Sequence, residues 1–485
     1  MSSSSARTSL WPLVIGGALS LLCWLALWRL YPLSDLAQVG QFEFVNTPGH
    51  FASPRVRLTT LLFVLMWALY AAICFWLWRT SRAPVSRALP WVGGVFVAGV
   101  GVSAAHLYPF GSIDVFYYMC ELKLRFFYGA NPYIVPFSPR YNADPFAAYS
   151  GFTHATCAYG PAWFWLSWPA IALAGFADLG ATLLGYKLWS AFWVLVCGAL
   201  ILTGARKERP WLSAGLFLGS PLVWFDAVGN GHNDIMMAAA LLGAALLARS
   251  PKSRLAWLTL PLLAVAILSK PSAAPLAWVF LVWMRRTNWT PRALLISAFL
   301  ALALAAVIVA PFWESGAFAG WRDGVTVSVK PFTSSPLSLA REFLFNKKAP
   351  DALQNLVRPI GLLLLLILAL ASPWIVRRFE HNLALVLGLT YLLAGSMFTW
   401  YLLPILALLC LQLDRRALVY VMAASLLGLL YSPLEMWADT DSPMAGHGIQ
   451  VNGFLALTLA APLLLWMLSA LGRPVLGSQK LGVRS

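Results

Sequence analysis

Long apolar runs separated by short polar connections fill most of this 485-residue chain. The first run, Ser9 to Trp28, lacks the short core and the small-residue cleavage site of a secretory signal peptide, so it predicts a retained helix. A membrane-spanning helix needs about 20 apolar residues. We therefore predict an all-α polytopic membrane protein of about 14 transmembrane helices, in a range of roughly 12–14. The later runs lie at 58–78, 88–108, 181–204, 211–229, 233–249, 255–270, 271–285, 292–312, 354–376, 381–398, 400–412, 416–432 and 452–472.

Composition supports the same class. Apolar residues make up 60% of the chain and charged residues 11%, whereas a soluble domain carries about 25% charged residues. Soluble, collagen-like, disordered and disulfide-scaffold proteins are excluded. Since no internal repeat indicates a duplicated transporter, we expect a single integral membrane domain over 1–485.

The formal net charge of +16 would suggest a nucleic-acid partner in a soluble protein. With a cytoplasmic amino terminus, 20 of the 34 Lys and Arg residues but only 3 of the 18 acidic residues fall in short cytoplasmic connections. Such connections are enriched in Lys and Arg in membrane proteins. The charge therefore predicts topology, with both termini cytoplasmic, and gives no reason to expect nucleic acid.

One apolar stretch does not fit as a span. If Tyr159 to Gly175 crossed the membrane, every later loop would change sides, and Arg206, Lys207 and Arg209 would lie outside. We therefore place this stretch at the outer interface. Residues 109–180 then form a long external segment, which we expect to be the catalytic loop because long ordered loops usually carry function. The helices of 410–485 contain no interpretable motif and form a variable carboxyl-terminal part.

Two of the six cysteines, Cys120 and Cys157, lie in the external segment. Both a disulfide between them and two free thiols are open alternatives. The other four fall within spans, where they act as small apolar residues.

The external segment opens with a pattern that predicts an amphipathic helix on the outer surface. Apolar residues recur at helical spacing, with Lys123 and Arg125 among them, and Gly129 to Pro132 ends the helix. Asp114 stands at its start. It is either an acid favoured by the helix dipole or a carboxylate that accepts a proton from a hydroxyl at the membrane boundary.

A second polar cluster, Asn230-Gly231-His232-Asn233-Asp234, lies between two apolar runs. Capping of the next helix would explain one or two of these side chains but not all. The free N–H groups at such a helix start suit a phosphate or a sugar hydroxyl. We therefore expect this cluster to bind substrate.

Lys270, followed by Pro271, interrupts the apolar run from Leu255 to Trp283. A lysine surrounded by apolar sequence is a functional candidate, and snorkelling to the interface is the alternative. Aromatic belts occur in many membrane proteins, but Tyr159 and Tyr401 also suggest stacking on a sugar.

These motifs occur in an order that resembles a known family. Asp114 in IDVFYY, GANPY at 129–133, YGPAW at 159–163, NGHND at 230–234 and Lys270-Pro271 are similar to the GT-C superfamily of polytopic glycosyltransferases. The sequence is most similar to the bacterial polyprenyl-phosphate-mannose-dependent α-mannosyltransferases, over about residues 88–410. The resemblance implies a GT-C-like fold whose external loop bears interfacial helices.

The resemblance also implies a function. Such enzymes move a hexose, here mannose, from a polyprenyl-monophosphate donor to a lipid-linked or cell-envelope glycan acceptor, at the outer face of the inner (plasma) membrane and with inversion. Asp114 corresponds to the general base. The expected substrate-binding residues are Tyr117, Tyr118, Asn131, Tyr133, Tyr159, Asn230, His232, Asn233, Asp234, Lys270 and Tyr401.

One departure from the family concerns metal. Many relatives carry a second acid two residues from the first, whereas Ser112 and Phe116 flank Asp114 here. We therefore expect no divalent metal and no other cofactor. A monophosphate leaving group needs less neutralisation than a diphosphate, and the candidates to supply it are Lys270, Lys123, Arg125 and Arg140.

Two alternatives from other classes stay open. A lipid-linked oligosaccharide flippase or ion-coupled transporter should carry acids in mid-span, whereas Asp114, Asp226 and Asp234 fall near one boundary. An O-antigen-ligase-like transferase would differ in using a diphosphate donor.

Overall fold

The structure, a computed structural model, describes residues 9–36, 53–80, 86–205, 209–329, 351–392, 397–440 and 448–471. Within these ranges the chain is all-helical and contains no strand, which confirms the predicted class. The amino-terminal half contains α1 (Trp11–Leu30), α2 (Ser53–Thr80), α3 (Leu89–Ala105), α4 (Asp114–Phe126), α5 (Pro161–Ala174), α6 (Leu179–Gly204), α7 (Pro210–Leu218), α8 (Pro221–Trp224) and α9 (Asp234–Ala248).

The carboxyl-terminal half continues in the same way, and its helices pack on those of the first half, for example α17 on α2. Most predicted runs coincide with helices to within a few residues. These helices are α10 (Thr259–Ser269), α11 (Leu276–Arg286), α12 (Pro291–Val309), α13 (Ala317–Val329), α14 (Asp351–Ile375), α15 (Phe379–Leu392), α16 (Leu402–Leu411), α17 (Arg415–Thr440) and α18 (Gly448–Leu471).

Local sequence sets the helix ends. Proline occupies the first turn of α3, α5, α7, α8 and α12, where its missing N–H costs nothing. The side chain of Asp178 accepts the N–H of Ala181 at 2.7 Å and so caps α6. Gly175, with φ +71°, ends α5.

The number of spans is only partly supported. Among the described residues, five helices are long and apolar enough to cross a membrane. A sixth span results if α7 is joined to Pro221–Gly229 across a bend of 48°. Further apolar helices, such as α3 with 17 residues and α9 with 15, are shorter, and α5, with 14 residues, is about 21 Å long at 1.5 Å per residue. The chain is thus membrane-associated, and the count of about 14 stays a prediction.

The external helix differs from its prediction. The sequence predicts an amphipathic helix on the surface, but every residue of α4 from Val115 to Leu124 is buried. Glu121 and Lys123 are included. The reason is that the segment 133–157 folds back over α4, with the hydroxyl of Tyr117 bonded to the carbonyl of Thr156 at 3.1 Å. The helix is therefore a core element of the external segment.

A buried ion pair holds this segment together. Lys123 Nζ lies 2.8 Å from Asp144 Oδ2, and the Tyr128 hydroxyl donates to the same oxygen at 2.6 Å. Burial raises the pKa of Asp144, but hydrogen bonds from Lys123, Tyr128 and the Phe146 N–H outweigh it and hold the pKa below its ordinary value. The Asp144 carboxylate is thus charged, and both of its oxygens accept hydrogen bonds within the external segment.

The two external cysteines are free thiols. Cys120 Sγ faces the carbonyl of Phe146 at 3.5 Å, and Cys157 Sγ faces that of Tyr159 at 3.8 Å. The structure therefore favours the thiol alternative over the disulfide.

Residues assigned to the cytoplasmic side meet in the fold. Arg249 bonds to Glu380 at 2.8 Å, and Arg378 bonds to Asp414 at 3.0 Å. These pairs join the end of α9, the start of α15 and the α16–α17 connection on one face. Other charges counted on that side lie outside the described residues: Arg7, Arg82, Arg206, Lys207, Glu208, Arg473, Lys480 and Arg484.

Substitution of Asp144 by Ala should destabilise the external segment. It leaves the Lys123 ammonium buried without its partner, at an expected cost of about 3–5 kcal/mol. We expect a lower Tm in detergent at neutral pH, where the lowered pKa keeps Asp144 charged in the folded protein.

The matched control is Asp323→Asn, which removes an ion pair with Arg322 whose side chains are 65% and 62% exposed, against 7% and 4% for Lys123 and Asp144. An exposed pair contributes about 0–1 kcal/mol. Equal Tm values for the two variants would contradict the stabilising role of Asp144.

Candidate functional site

Asp114 is the first residue of α4, and its side chain is 23% exposed. Its N–H bonds to the Ser112 hydroxyl at 3.2 Å. Burial raises the pKa of Asp114 to about 6, against the opposing effect of Lys270 and with a smaller contribution from Asp234. The carboxylate is therefore largely ionised at neutral pH and able to accept a proton near that pH.

His232 faces Asp114 from the turn before α9. Its Nδ1 lies 4.0 Å from Asp114 Oδ2 and 3.5 Å from the Tyr118 hydroxyl. Its ring stacks on Trp400 at 3.8 Å between centroids. Burial and the nearby charge of Lys270 hold the pKa of His232 well below its ordinary value, so the ring is neutral and does not neutralise Asp114.

Lys270 and Asp234 form an ion pair beside these residues. Lys270 Nζ donates to both carboxylate oxygens of Asp234, at 2.7 and 2.8 Å. The ammonium also lies 4.6 Å from the centre of the Tyr401 ring. Lys270 ends α10 in an extended conformation before Pro271, which confirms the predicted break and aims a cation at the site.

Tyr159 completes this group because α5 begins against the end of α10. The N–H of Gly160 bonds to the Ser269 carbonyl at 3.1 Å. A Cβ on Gly160 would lie 1.9 Å from the Leu268 carbonyl oxygen, so only glycine fits there. The Tyr159 ring then packs on Tyr118 at 5.0 Å. We name these residues the outer cluster: Asp114, Tyr118, Tyr159, His232, Asp234, Lys270 and Tyr401.

The other predicted binding residues lie around this cluster rather than in it. Asn230 supports the turn from beneath, with its Oδ1 accepting the Gly111 N–H at 3.1 Å. Asn233 precedes α9 without capping it, and neither polar atom of its buried side chain has a hydrogen-bond partner. Capping alone therefore does not explain this cluster.

Three predicted binding residues form hydrogen bonds within or beside the external segment. Tyr117 bonds to Thr156, and the Tyr133 hydroxyl donates to the Tyr159 carbonyl at 2.7 Å. Asn131 donates to the Phe312 carbonyl at 3.0 Å and to Glu314 at 3.2 Å. These contacts shape the wall of the site.

The candidates for neutralising phosphate are separated by the fold. Lys123 is paired with Asp144, nine residues along α4 from Asp114, or about 13 Å at 1.5 Å per residue. Arg125 lies over the Phe312 ring, and Arg140 over the Tyr141 ring. Lys270 is the candidate that the structure brings to the outer cluster.

An apolar cavity of about 310 Å³ is lined by Leu268 and Pro271, which lie on either side of Lys270 in the chain. It is bounded by parts of the external segment, the end of α10, the turn before α11, the end of α12 and α13. Its lining residues include Tyr133, Pro161, Leu268, Pro271, Phe312 and Trp321. The chain neighbours of Lys270 thus face a space suited to a hydrocarbon chain.

No group of three His, Cys, Asp or Glu side chains within the described ranges could hold a metal ion. The expectation that the protein works without a metal stays a prediction.

Sequence analysis assigned no role to two buried charged residues near the site. Lys187 lies fully buried in α6 and donates to the carbonyl of Leu107. Asp226, 1% exposed, lies just before the 230–234 turn. The available signal was a charged residue inside an apolar run, but neither belongs to a motif. The stacking of Trp400 on His232 has no signal in the sequence.

A comparison with protein families places this arrangement in context. Residues 31–287, just over half of the chain, match the family described as alpha-(1->6)-mannopyranosyltransferase, N-terminal domain. The protein is therefore a glycosyltransferase, and the chain belongs to this mannosyltransferase family. The resemblance to GT-C mannosyltransferases is confirmed. No curated protein matches the chain.

Family membership also bears on the alternatives. A mannosyltransferase needs a sugar donor and an acceptor, so the flippase or ion-coupled transporter is disfavoured. The family match ends at residue 287, before α12. The division of the chain into a catalytic loop at 109–180 and a variable carboxyl-terminal part at 410–485 stays a prediction.

Substitution of Gly231 by Ala should lower mannosyltransferase activity and Tm. Gly231 has φ +71°, and a Cβ there would lie 2.8 Å from Cγ2 of Val115, the neighbour of Asp114. The left-handed conformation alone costs about 1–2 kcal/mol for other residues, and the clash displaces the start of α4.

Gly129→Ala is the control, because Gly129 has φ +65° but no atom within 4 Å of the added Cβ. It should lower Tm and leave activity unchanged. Similar activity losses in both variants would argue against the close fit of Gly231 and Val115.

Proposed function

We propose that this protein transfers mannose from a polyprenyl-monophosphate donor to a lipid-linked or cell-envelope glycan acceptor, with inversion and with Asp114 as general base. The observation that carries the proposal is the outer cluster itself. A partly exposed carboxylate with a pKa of about 6 faces a neutral histidine and lies near a lysine whose chain neighbour Pro271 lines an apolar cavity.

The acceptor hydroxyl is the nucleophile. Its oxygen attacks the anomeric carbon and forms the new glycosidic bond, while Asp114 takes its proton. The bond between the anomeric carbon and the phosphate oxygen breaks on the opposite face, and its electron pair leaves with polyprenyl phosphate. Because Asp114 is 23% exposed, the proton then passes to solvent.

Lys270 is assigned to the phosphate. An ammonium has three N–H donors, and Asp234 accepts two of them, which leaves one for a phosphate oxygen. Charge stabilisation of a leaving group is a major contribution to catalysis. The prenyl chain lies in the apolar cavity that begins at Pro271.

The remaining roles concern the sugars. His232 and Asn233 bind rather than transfer protons, since the lowered pKa makes the His232 ring a weak proton acceptor and its Nε2 has no hydrogen-bond partner. Tyr159 and Tyr401 are assigned to contacts with the sugars; the Tyr401 ring itself stacks on Tyr391 at 4.5 Å and lies 4.6 Å from the Lys270 ammonium. We assign the site to the external face and both termini to the cytoplasm, on the strength of the charge distribution.

Asp114→Asn should abolish transfer while leaving Tm in detergent unchanged. General-base catalysis contributes about 10²- to 10⁴-fold, and an amide cannot accept the proton. In the wild type, kcat/KM should fall as pH decreases through about 6, because the protonated carboxyl cannot act as base. Near-normal turnover of the variant, or a wild-type profile without this acidic limb, would exclude Asp114 as base; Asp323→Asn serves as the active control.

Purified protein should use polyprenyl-monophosphate mannose and not the corresponding diphosphate. The reason is that one lysine N–H is left for the phosphate, and a diphosphate requires more neutralisation. Product formation is measured with each donor, and the anomeric configuration of the product by NMR. Turnover restricted to the diphosphate would instead support the O-antigen-ligase-like alternative.

A further inference from the structure

Asp226 is a buried carboxylate that none of the proposed chemical steps uses. It lies in the π-helical turn Phe225–Gly229 that follows α8, and it is 1% exposed. Such turns often occur at functional sites. A buried carboxylate is retained only where its contacts compensate for its lost hydration, so its contacts indicate its role.

The first contact leads to Asp114. Asp226 Oδ1 accepts a hydrogen bond from Asn230 Nδ2 at 3.1 Å. Asn230 Oδ1 in turn accepts the N–H of Gly111 at 3.1 Å. Gly111 precedes Asp114 by three residues, so Asp226 orients the amide that fixes the end of the α3–α4 connection.

The second contact leads to His232. The backbone carbonyl of Asp226 accepts the N–H of His232 at 3.1 Å. Its carboxylate also faces the hydroxyl of Thr399, whose chain neighbour Trp400 stacks on the His232 ring. Asp226 therefore supports both sides of the histidine that faces the proposed base.

The start of the α3–α4 connection has separate supports. The N–H of Tyr108 bonds to the Tyr31 carbonyl at 2.8 Å, and Lys187 holds the carbonyl of Leu107. Both contacts precede Gly111 in the chain. Among the described residues, the Asn230 side chain is thus the link between the 230–234 turn and the last residues before α4.

We propose that Asp226 is a positioning residue that holds Asp114 and His232 in reactive geometry, acting on Asp114 through Asn230. The proposal rests on the function assigned to Asp114. Asp226 acts as a hydrogen-bond acceptor, not as a proton acceptor for the substrate: it is 1% exposed, and its carboxylate reaches the chain before Asp114 through Asn230 and Gly111.

The experiment compares Asp226→Ala, Asn230→Ala, the double variant and Asp226→Asn. Displacement of a reacting group by about 1 Å can lower the rate about 10²-fold. We therefore expect each single Ala variant to have a kcat about 10²-fold below that of the wild type, with KM for the donor unchanged. Because Asn230 acts only through the link that Asp226 orients, the double variant should be no slower than Asp226→Ala. Asp226→Asn keeps an oxygen acceptor for Asn230 and should restore kcat.

The matched control is Ser220→Ala. It removes a buried hydrogen bond to Ser425 at 3.0 Å in the same broken span, but it contacts no residue of the outer cluster, so kcat should stay at the wild-type value. Should Asp226→Ala fail to fold, Asn230→Ala and Asp226→Asn still test the link.

Several results would overturn the proposal. They are wild-type kcat in Asn230→Ala, additive losses in the double variant, or an increase in KM without a change in kcat. Loss of activity in Asp226→Asn equal to that of Asp114→Asn would make Asp226 itself a proton acceptor. If Asp114→Asn stays active, the function assigned to Asp114 fails, which is distinct from each of these results.

Discussion

The ion pair between Lys270 and Asp234 is the interaction on which the site depends. Asp234 is fully buried at the first residue of α9, and a buried carboxylate needs a partner. Lys270 reaches it from the break between α10 and α11 and so joins two parts of the helical core. Its charge also opposes the rise in the pKa of Asp114 and helps to keep His232 neutral. Burial is the larger cause of both pKa shifts, and the charge of Lys270 opposes the shift of Asp114 and adds to that of His232.

The external segment separates structural from functional charges. The Asp144 carboxylate accepts three hydrogen bonds within the external segment, from Lys123, Tyr128 and the Phe146 N–H. Its oxygens are therefore occupied by structural contacts. Asp114, on the same helix, keeps a side chain that is 23% exposed and shares only a long contact with His232. Since both acids lie in one segment, the difference arises from their partners. A carboxylate with few donors and partial burial has the raised pKa that a base near neutral pH requires.

Much of the site was predictable, because chemistry-bearing residues are conspicuous in an apolar chain. Asp114, His232 and Asp234 were identified as polar residues at the ends of apolar runs and Lys270 as a lysine within one, and the structure brings them together. Tyr117, Asn131 and Tyr133 were assigned to substrate, but they bond within and beside the external segment. Asp226 and Lys187 were given no role because their neighbours in sequence are apolar and the chain segments they support lie far away in the sequence.

The sequence by itself determined the all-α class, the helix boundaries marked by proline and glycine, and the residues with reactive groups. These follow from local properties: apolar run length, backbone preferences and side-chain chemistry. The tertiary structure alone decided that α4 is buried rather than on the surface, that Lys123 belongs to Asp144 and Lys270 to Asp234, and that both external cysteines are free. Pairing of this kind depends on distances between residues far apart in the chain, which no local pattern specifies.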